Sequence, residues 1–106
     1  MTRQEYLVQL LLPLADNQGR SFVGDVHGTT RRELLDHFGG VTAYQRAPAH
    51  GLWESGDGEV AHDELVIFEV MAPTLDREWW SAYRRTLEAR FRQDVIVIRA
   101  VAQETL

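Results

Sequence analysis

Two histidines and two carboxylates lie close together in the middle of this sequence, where their side chains could bind a metal ion. His50 precedes a Ser-Gly-Asp-Gly turn, and His62, Asp63 and Glu64 follow it. In a tight hairpin His50 and Asp63 would be neighbours across the ladder. Imidazole and carboxylate are common zinc ligands, so His50 and His62 are candidate metal ligands. Strand alternation opposes this hypothesis, because it points His62 and Asp63 to opposite faces; the alternative is a solvated strand end.

A second candidate is the glycine-bearing loop from Gly24 to Arg32, which leads into a predicted helix. Free N–H groups at a helix start, together with Arg31 and Arg32, can hold an anion. His27 in this loop can serve as an acid or a base, and we treat it as a ligand-binding candidate. The spacing matches neither a P-loop nor a dinucleotide fingerprint, so an ordinary loop with a capped helix is the competing interpretation.

The remaining candidates are charged or aromatic side chains within predicted strands. Arg46 and Trp53 share one edge strand, where they can line a ligand cleft or anchor a subunit contact. Glu69, Arg99 and Gln9 interrupt otherwise apolar strands. Charges in such places are normally paired or at a rim. The two interpretations are a Glu69–Arg99 pair or sheet margin, and a polar site in a cavity between subunits. No catalytic residue is assigned.

The elements that must position these residues follow the order β-α-β-β-α-β. Asp57-Gly58, between two β-rich runs, is a strong hairpin signal. Strands are expected at 6–13, 41–54, 60–72 and 95–102, and helices at 30–38 and 76–92. This order predicts one ferredoxin-like domain over residues 1–106, of α+β class, with a four-stranded antiparallel sheet and two helices on one face.

Local signals set the expected ends of these elements. Thr30 and Glu33 have the spacing of a capping box, which predicts that the first helix starts near Thr30. Gly39 is expected to end that helix, because glycine adopts the left-handed cap conformation without steric cost. Pro48 marks its strand as an edge or a bulge.

The apolar pattern predicts an assembly. Helices cover one sheet face in this fold, and an exposed second face should alternate towards polar residues. Instead, both sides of three strands are apolar; the second side carries Leu7, Leu11, Leu65, Ile67, Met71, Val95, Val97 and Val101. Leaving that side wet would expose an apolar patch larger than monomers usually show. We therefore expect a homo-oligomer through the open sheet face; the alternative is a cover from residues 16–28 or from the last residues.

Composition limits the possible partners. The 106 residues carry a formal net charge of −5 and no basic run, which argues against nucleic acid and anionic membranes. There is no cysteine, so disulfides and thiolate sites are excluded. No apolar run is long enough to span a membrane, and the N-terminus is polar. We expect a cytoplasmic protein that needs no cofactor.

The hairpin region resembles known families. Gly40-Val41-Thr42-Ala43-Tyr44, then Trp53-Glu54, then Val60 and Glu64 before an apolar strand, is similar to the hairpin of CutA-like and PII-like proteins. The resemblance implies a ferredoxin-like fold and a trimer. The chain lacks the long PII loop, so no nucleotide site is implied. Its Phe-Gly-Gly-Val-Thr and Gly-Leu-Trp steps more closely resemble a group of small bacterial ferredoxin-like proteins, a likeness that implies a fold and no activity.

Three functions are compatible with these features. The first is an oligomeric, non-catalytic module that binds a small ligand or a protein partner. The second is a cofactor-free enzyme of the dimeric α/β-barrel kind, a monooxygenase or isomerase, using His27, Arg46, Trp53 and Arg99. The third is a metal-binding protein using the histidines near the hairpin. A closed apolar cavity with convergent polar groups would favour the enzyme.

Overall fold

The computed structural model describes residues 3–46 and 65–106, and these residues form the predicted ferredoxin-like α+β fold. Four antiparallel strands form one open sheet, and two helices connect them in the order β-α-β-β-α-β. The elements are β1 (Arg3–Pro13), α1 (Val26–Phe38), β2 (Thr42–Arg46), β3 (Leu65–Ala72), α2 (Arg77–Arg90) and β4 (Val97–Thr105).

The strand order in the sheet is β2-β3-β1-β4. β1 and β3 are therefore central, and β2 is an edge, as predicted; Pro48, on which that prediction drew, lies outside the described residues. β1 pairs with β4 over nearly its full length, from Arg3 opposite Thr105 to Leu11 opposite Val97. β1 also pairs with β3, with Gln9 opposite Glu69. Residues in register share a face of the sheet, so these pairings decide which side chains meet.

The hydrophobic core lies between the helices and one face of the sheet. Alternate residues of the two central strands are buried there, with apolar residues of both helices packed onto them. The buried members of this cluster are Val8, Leu10, Leu12, Leu34, Phe68, Val70, Ala72, Trp80, Leu87, Phe91 and Ile96. Within α2, Trp80, Leu87 and the capping residue Phe91 confirm the predicted apolar face.

Helix α1 begins four residues earlier than predicted. Asp25 is the N-cap, and its carboxylate accepts a hydrogen bond of 3.0 Å from the Gly28 backbone N–H. A side chain at position 28 would collide with the Asp25 carboxylate in its capping position. Glycine at this position therefore leaves room for the cap. Thr30 lies in the helix, fully buried, and its hydroxyl donates to the Val26 carbonyl at 2.8 Å. The predicted Thr30 capping box was therefore wrong, whereas Gly39 ends α1 in the left-handed conformation as expected.

The Asp25 cap gives a testable consequence. Asp25→Ala should lower the free energy of unfolding by about 1 kcal/mol, because it removes the acceptor for an N–H of the first turn. Urea unfolding followed by circular dichroism measures the change. Asp36→Ala, at an exposed position of the same helix, is the matched control. An equal effect of the two substitutions would contradict the assignment of Asp25 as the cap.

Other element ends also differ from the prediction. β4 runs from Val97 to Thr105, where 95–102 was expected, and β1 starts at Arg3, where Tyr6 was expected. The added residues at the start of β1 and at the end of β4 are polar and pair with one another through their backbones. A prediction based on alternating apolar residues does not detect such segments. α2 ends at Arg90, and Arg92 has a positive φ of 54° that is incompatible with continuing the helix.

Candidate functional site

A row of polar side chains crosses the open sheet face, the face opposite the helices. The strand registers place Thr42, Glu69, Gln9 and Arg99 side by side on β2, β3, β1 and β4. We call these four residues the polar row. It contains two predicted site residues, Glu69 and Arg99, and the structure shows that they do not touch directly.

Gln9 connects the two charges of the polar row. Its amide nitrogen donates to Glu69 Oε2 at 2.5 Å, and its amide oxygen accepts from Arg99 Nε at 2.8 Å. The Tyr44 hydroxyl also donates to Glu69 Oε2, at 3.0 Å. The predicted Glu69–Arg99 pair is thus replaced by a bridge, because one strand separates the two residues. A glutamine fits this position, since its amide offers a donor and an acceptor.

Apolar side chains flank the polar row on both sides. One flank is Tyr44, Ile67, Leu11 and Val97, and the other is Met71, Leu7 and Val101. Ile67 is buried, but Val97 and Val101 at the β4 edge are 49% and 52% exposed, and Met71 is 39% exposed. The prediction that both faces of the sheet carry apolar side chains is therefore confirmed. On the open face, the polar row separates the two apolar flanks.

Neither segment considered as an intramolecular cover lies on this face. Phe22, from the loop that precedes α1, packs edge-to-face on Phe91 at 5.2 Å, in the helix layer. The C-terminal residues extend β4 to Thr105, and Leu106 is 96% exposed. Within the described part of the chain, these two segments leave the β4 side of the open face accessible.

The opposite side of the molecule carries an open cleft of about 440 Å³ between α2 and the strands β1 and β4. Its floor and inner end are mainly apolar, and its rim carries guanidinium and hydroxyl groups. The lining residues are Tyr6, Val8, Leu75, Arg77, Trp80, Ser81, Arg84, Ile98, Arg99 and Ala100. We call this space the α2 cleft.

Three arginines line the α2 cleft of this acidic protein: Arg77 and Arg84 on α2, and the predicted site residue Arg99 on β4. Arg77, Ser81 and Arg84 recur at spacings of four and three, so they project from one side of α2. Arg84 makes an ion pair with Glu88 through Nε at 3.8 Å. Arg77 makes no ion pair among residues 3–46 and 65–106. Sequence reasoning named Arg99 but missed Arg77 and Arg84; their spacing on α2 was visible, but the cleft beside them was not.

An ion-pair network joins the two helices outside the α2 cleft. Arg90 donates to both Glu33 carboxylate oxygens, at 2.7 and 3.0 Å, and to the buried Thr30 hydroxyl at 2.8 Å. The Arg90 hydrogen bonds lower the pKa of Glu33, reinforced by a hydrogen bond from the Tyr83 hydroxyl and opposed by partial burial. Burial and the Glu33 carboxylate raise the pKa of Tyr83. The network fastens α1 to α2, and two of its members, Glu33 and Tyr83, also line a shallow, open surface depression together with Asp36, His37 and Trp79.

The other predicted site residues are dispersed. His27 lies in the first turn of α1, where its Nε2 is 2.9 Å from the Pro13 carbonyl and its ring packs against Phe22 and Phe91. Its hydrogen-bond partner Pro13 ends β1, four residues beyond Gln9, so His27 is not part of the polar row. Arg46 ends β2 opposite Leu65. Trp53 lies outside the described residues.

The anion and metal hypotheses have different outcomes. At the start of α1 the Asp25 carboxylate accepts from the Gly28 N–H, so this N–H already has an acceptor within the protein. His50 and His62 lie outside the described residues. Within the two described ranges, no group of three or more His, Asp or Glu side chains could hold a metal ion. None of the described helices is long and apolar enough to cross a membrane.

The fold and these surfaces define a ferredoxin-like α+β domain with a polar row on one side and a cationic cleft on the other. No protein-family model matches the chain, and no curated protein matches it.

Proposed function

We propose that this chain is a homo-oligomeric binding module, assembled through its open sheet face, that binds a small ligand or a protein partner and does not catalyse a reaction. The observation that carries the proposal is the polar row, hydrogen-bonded across three strands and flanked by exposed apolar side chains. A second copy of the chain is the simplest cover for such a face, because an identical surface is always available to it.

The size of the face supports a pairwise assembly. Neighbouring strands lie about 4.8 Å apart, so four strands span about 19 Å, and strands of this length run for about 30 Å. The plan area is therefore about 600 Å² per protomer. Two such faces would bury about 1,200 Å² in total, the lower end of the range for specific, stable interfaces.

Charge selects the orientation of the two copies. A two-fold axis parallel to the strands lays β3 over β1, so that Glu69 meets Gln9 of the partner subunit with the partner's Arg99 about 5 Å to the side. An axis across the strands instead lays Arg99 over the partner's Arg99. Like charges facing each other in an interface are unfavourable, so the axis parallel to the strands is favoured.

Charge reversal tests this proposal. Glu69→Arg should raise the dissociation constant of the oligomer by about tenfold or more, because it places a cation beside the partner's Arg99. The exchange Glu69→Arg with Arg99→Glu should restore association, since Gln9 can donate and accept in either direction. Sedimentation velocity over a range of protein concentrations measures both.

The control is Glu104→Arg, which reverses an exposed charge on the other face of β4. It should leave association unchanged. A wild-type protein that sediments as a single 12.2 kDa particle at every concentration would contradict the assembly. So would a charge-exchanged variant that folds, by circular dichroism, but stays as dissociated as Glu69→Arg.

The α2 cleft favours binding over the alternative of a cofactor-free monooxygenase or isomerase. It is open to solvent, and the described residues that line it offer guanidinium and hydroxyl groups but neither an imidazole nor a carboxylate as a general base. We place the module in the cytoplasm, with which the lack of cysteine is compatible. Its acidic balance supports partners other than nucleic acid.

A further inference from the structure

The geometry points to the α2 cleft as a binding site for a small organic anion, with its acidic head on the arginine rim and its apolar body in the cleft. This inference rests on the proposed binding function and names the class of ligand. Its chemistry is a carboxylate or phosphate group attached to an aromatic or aliphatic body. Among the described lining residues, Arg99 is shared with the polar row of the open sheet face.

The apolar part of the site is preformed. Trp80 is only 7% exposed and stacks on Phe38 with ring centres 5.2 Å apart and planes 11° apart, which fixes the indole against the inner wall. Ile98 and Val8 come from the helix-facing side of the sheet and form the floor, and Leu75 closes one end. A volume of about 440 Å³ lies in the usual range for small-molecule sites.

The polar part of the site is cationic, and its guanidinium groups are only partly engaged in ion pairs with the described residues. Arg77 occupies the first position of α2, where the helix dipole disfavours a cation, so local helix stability does not explain its charge. The Arg84–Glu88 distance of 3.8 Å is longer than a hydrogen bond, and Glu88 also accepts from the Ile96 N–H at 3.1 Å. Ser81 adds a hydroxyl between the two arginines.

Together these groups specify the ligand. Guanidinium groups form paired, charge-assisted hydrogen bonds to carboxylate and phosphate. The hydroxyls of Ser81 and Tyr6 can serve the remaining oxygens. A cation would be repelled by the rim, and a neutral apolar molecule would leave the guanidinium groups without a new partner. The site therefore discriminates by negative charge as well as by shape.

Titration with phenylacetate, phenyl phosphate and the neutral analogue phenylacetamide tests the inference. Isothermal calorimetry gives the affinity, and the Trp80 indole N–H signal in a nitrogen–proton correlation spectrum reports where the probe lies. We expect one or both anions to bind and to shift that signal. The preferred anion identifies the head group as carboxylate or phosphate.

The double substitution Arg77→Gln with Arg84→Gln should weaken anion binding by about tenfold or more, since it removes charge-assisted contacts. Arg32→Gln, an exposed arginine on α1 that does not line the cleft, should change nothing. The inference is overturned if phenylacetamide binds as well as the anions, if the double variant keeps full affinity, or if no probe binds at millimolar concentration.

Repeating the titration with Glu69→Arg separates this inference from the proposed assembly. Anion binding that persists in the dissociated variant supports the cleft on its own. A wild-type protein that stays monomeric yet binds the anions contradicts the assembly alone. An oligomer that binds neither anion contradicts the cleft alone.

Discussion

Phe91→Ala is expected to lower the free energy of unfolding by about 3–5 kcal/mol, the range for removing a large buried aromatic side chain. Phe91 is fully buried at the C-terminal end of α2 and contacts the rings of Phe22 and His27, at 5.2 and 5.0 Å between centres. Its loss leaves a cavity where α2, the loop before α1 and the start of α1 meet. Few single substitutions in this chain should cost more.

Urea unfolding followed by far-ultraviolet circular dichroism measures this change. Val23→Ala is a suitable control, because Val23 belongs to the same loop as Phe22 but is 88% exposed. It should change the free energy of unfolding by no more than about 0.5 kcal/mol. A loss below about 1 kcal/mol for Phe91→Ala would show that Phe91 does not join the loop to the core.

Glu33→Gln is expected to lower the free energy of unfolding by about 1–2 kcal/mol at neutral pH and to make it less dependent on pH in acid. The substitution removes charge-assisted hydrogen bonds from Arg90, whose side chain is 17% exposed. Glu33 itself is 43% exposed, so solvent screening keeps the value below that of a fully buried pair.

The direction of the pH effect follows from the lowered pKa of Glu33. Its carboxyl has an ordinary pKa of 4.5, and Arg90 lowers the pKa in the folded protein. Between the lowered pKa of the folded state and the ordinary pKa of the unfolded state, the folded protein therefore binds fewer protons than the unfolded protein. The stabilisation is present above pH 4.5 and is lost as the pH falls through the folded pKa.

The measurement is the difference in unfolding free energy between wild type and Glu33→Gln at a series of pH values. It should be largest near neutrality and shrink in acid. Arg90→Gln and the double variant complete a cycle that isolates the pair from the separate contact between Arg90 and Thr30. A difference independent of pH would mean that the ion pair contributes nothing measurable.

The sequence predicted the fold because the strongest signals were local and consistent. Alternating and doubly apolar runs identified the central strands, and the spacing of Trp80, Leu87 and Phe91 identified α2. The start of α1 was misjudged because Thr30 and Glu33 mimic a capping box, whereas both serve contacts with Arg90, 57 or more residues away. The spacing of residues in a sequence indicates only contacts between residues that are close along the chain.

The candidate site was predictable to a smaller degree for the same reason. The alternation of residues placed Glu69 and Arg99 on the open face, but only the register shows that Gln9 lies between them. The α2 cleft forms where one helix passes over two strands that are distant in sequence. In the sequence alone, Arg77 and Arg84 are indistinguishable from ordinary surface charges. The His27 ring packs against other rings and forms a hydrogen bond with the Pro13 carbonyl.

The pairing of Arg3 with Thr105 has a practical consequence for anyone handling this molecule. Residues paired in an antiparallel ladder have Cα atoms only about 5 Å apart, so Arg3 and Thr105 lie together at one corner of the sheet. A fluorophore attached at position 3 and one attached at position 105 would report on the same place. A peptide of a few residues could close the backbone into a ring while leaving every strand where it is.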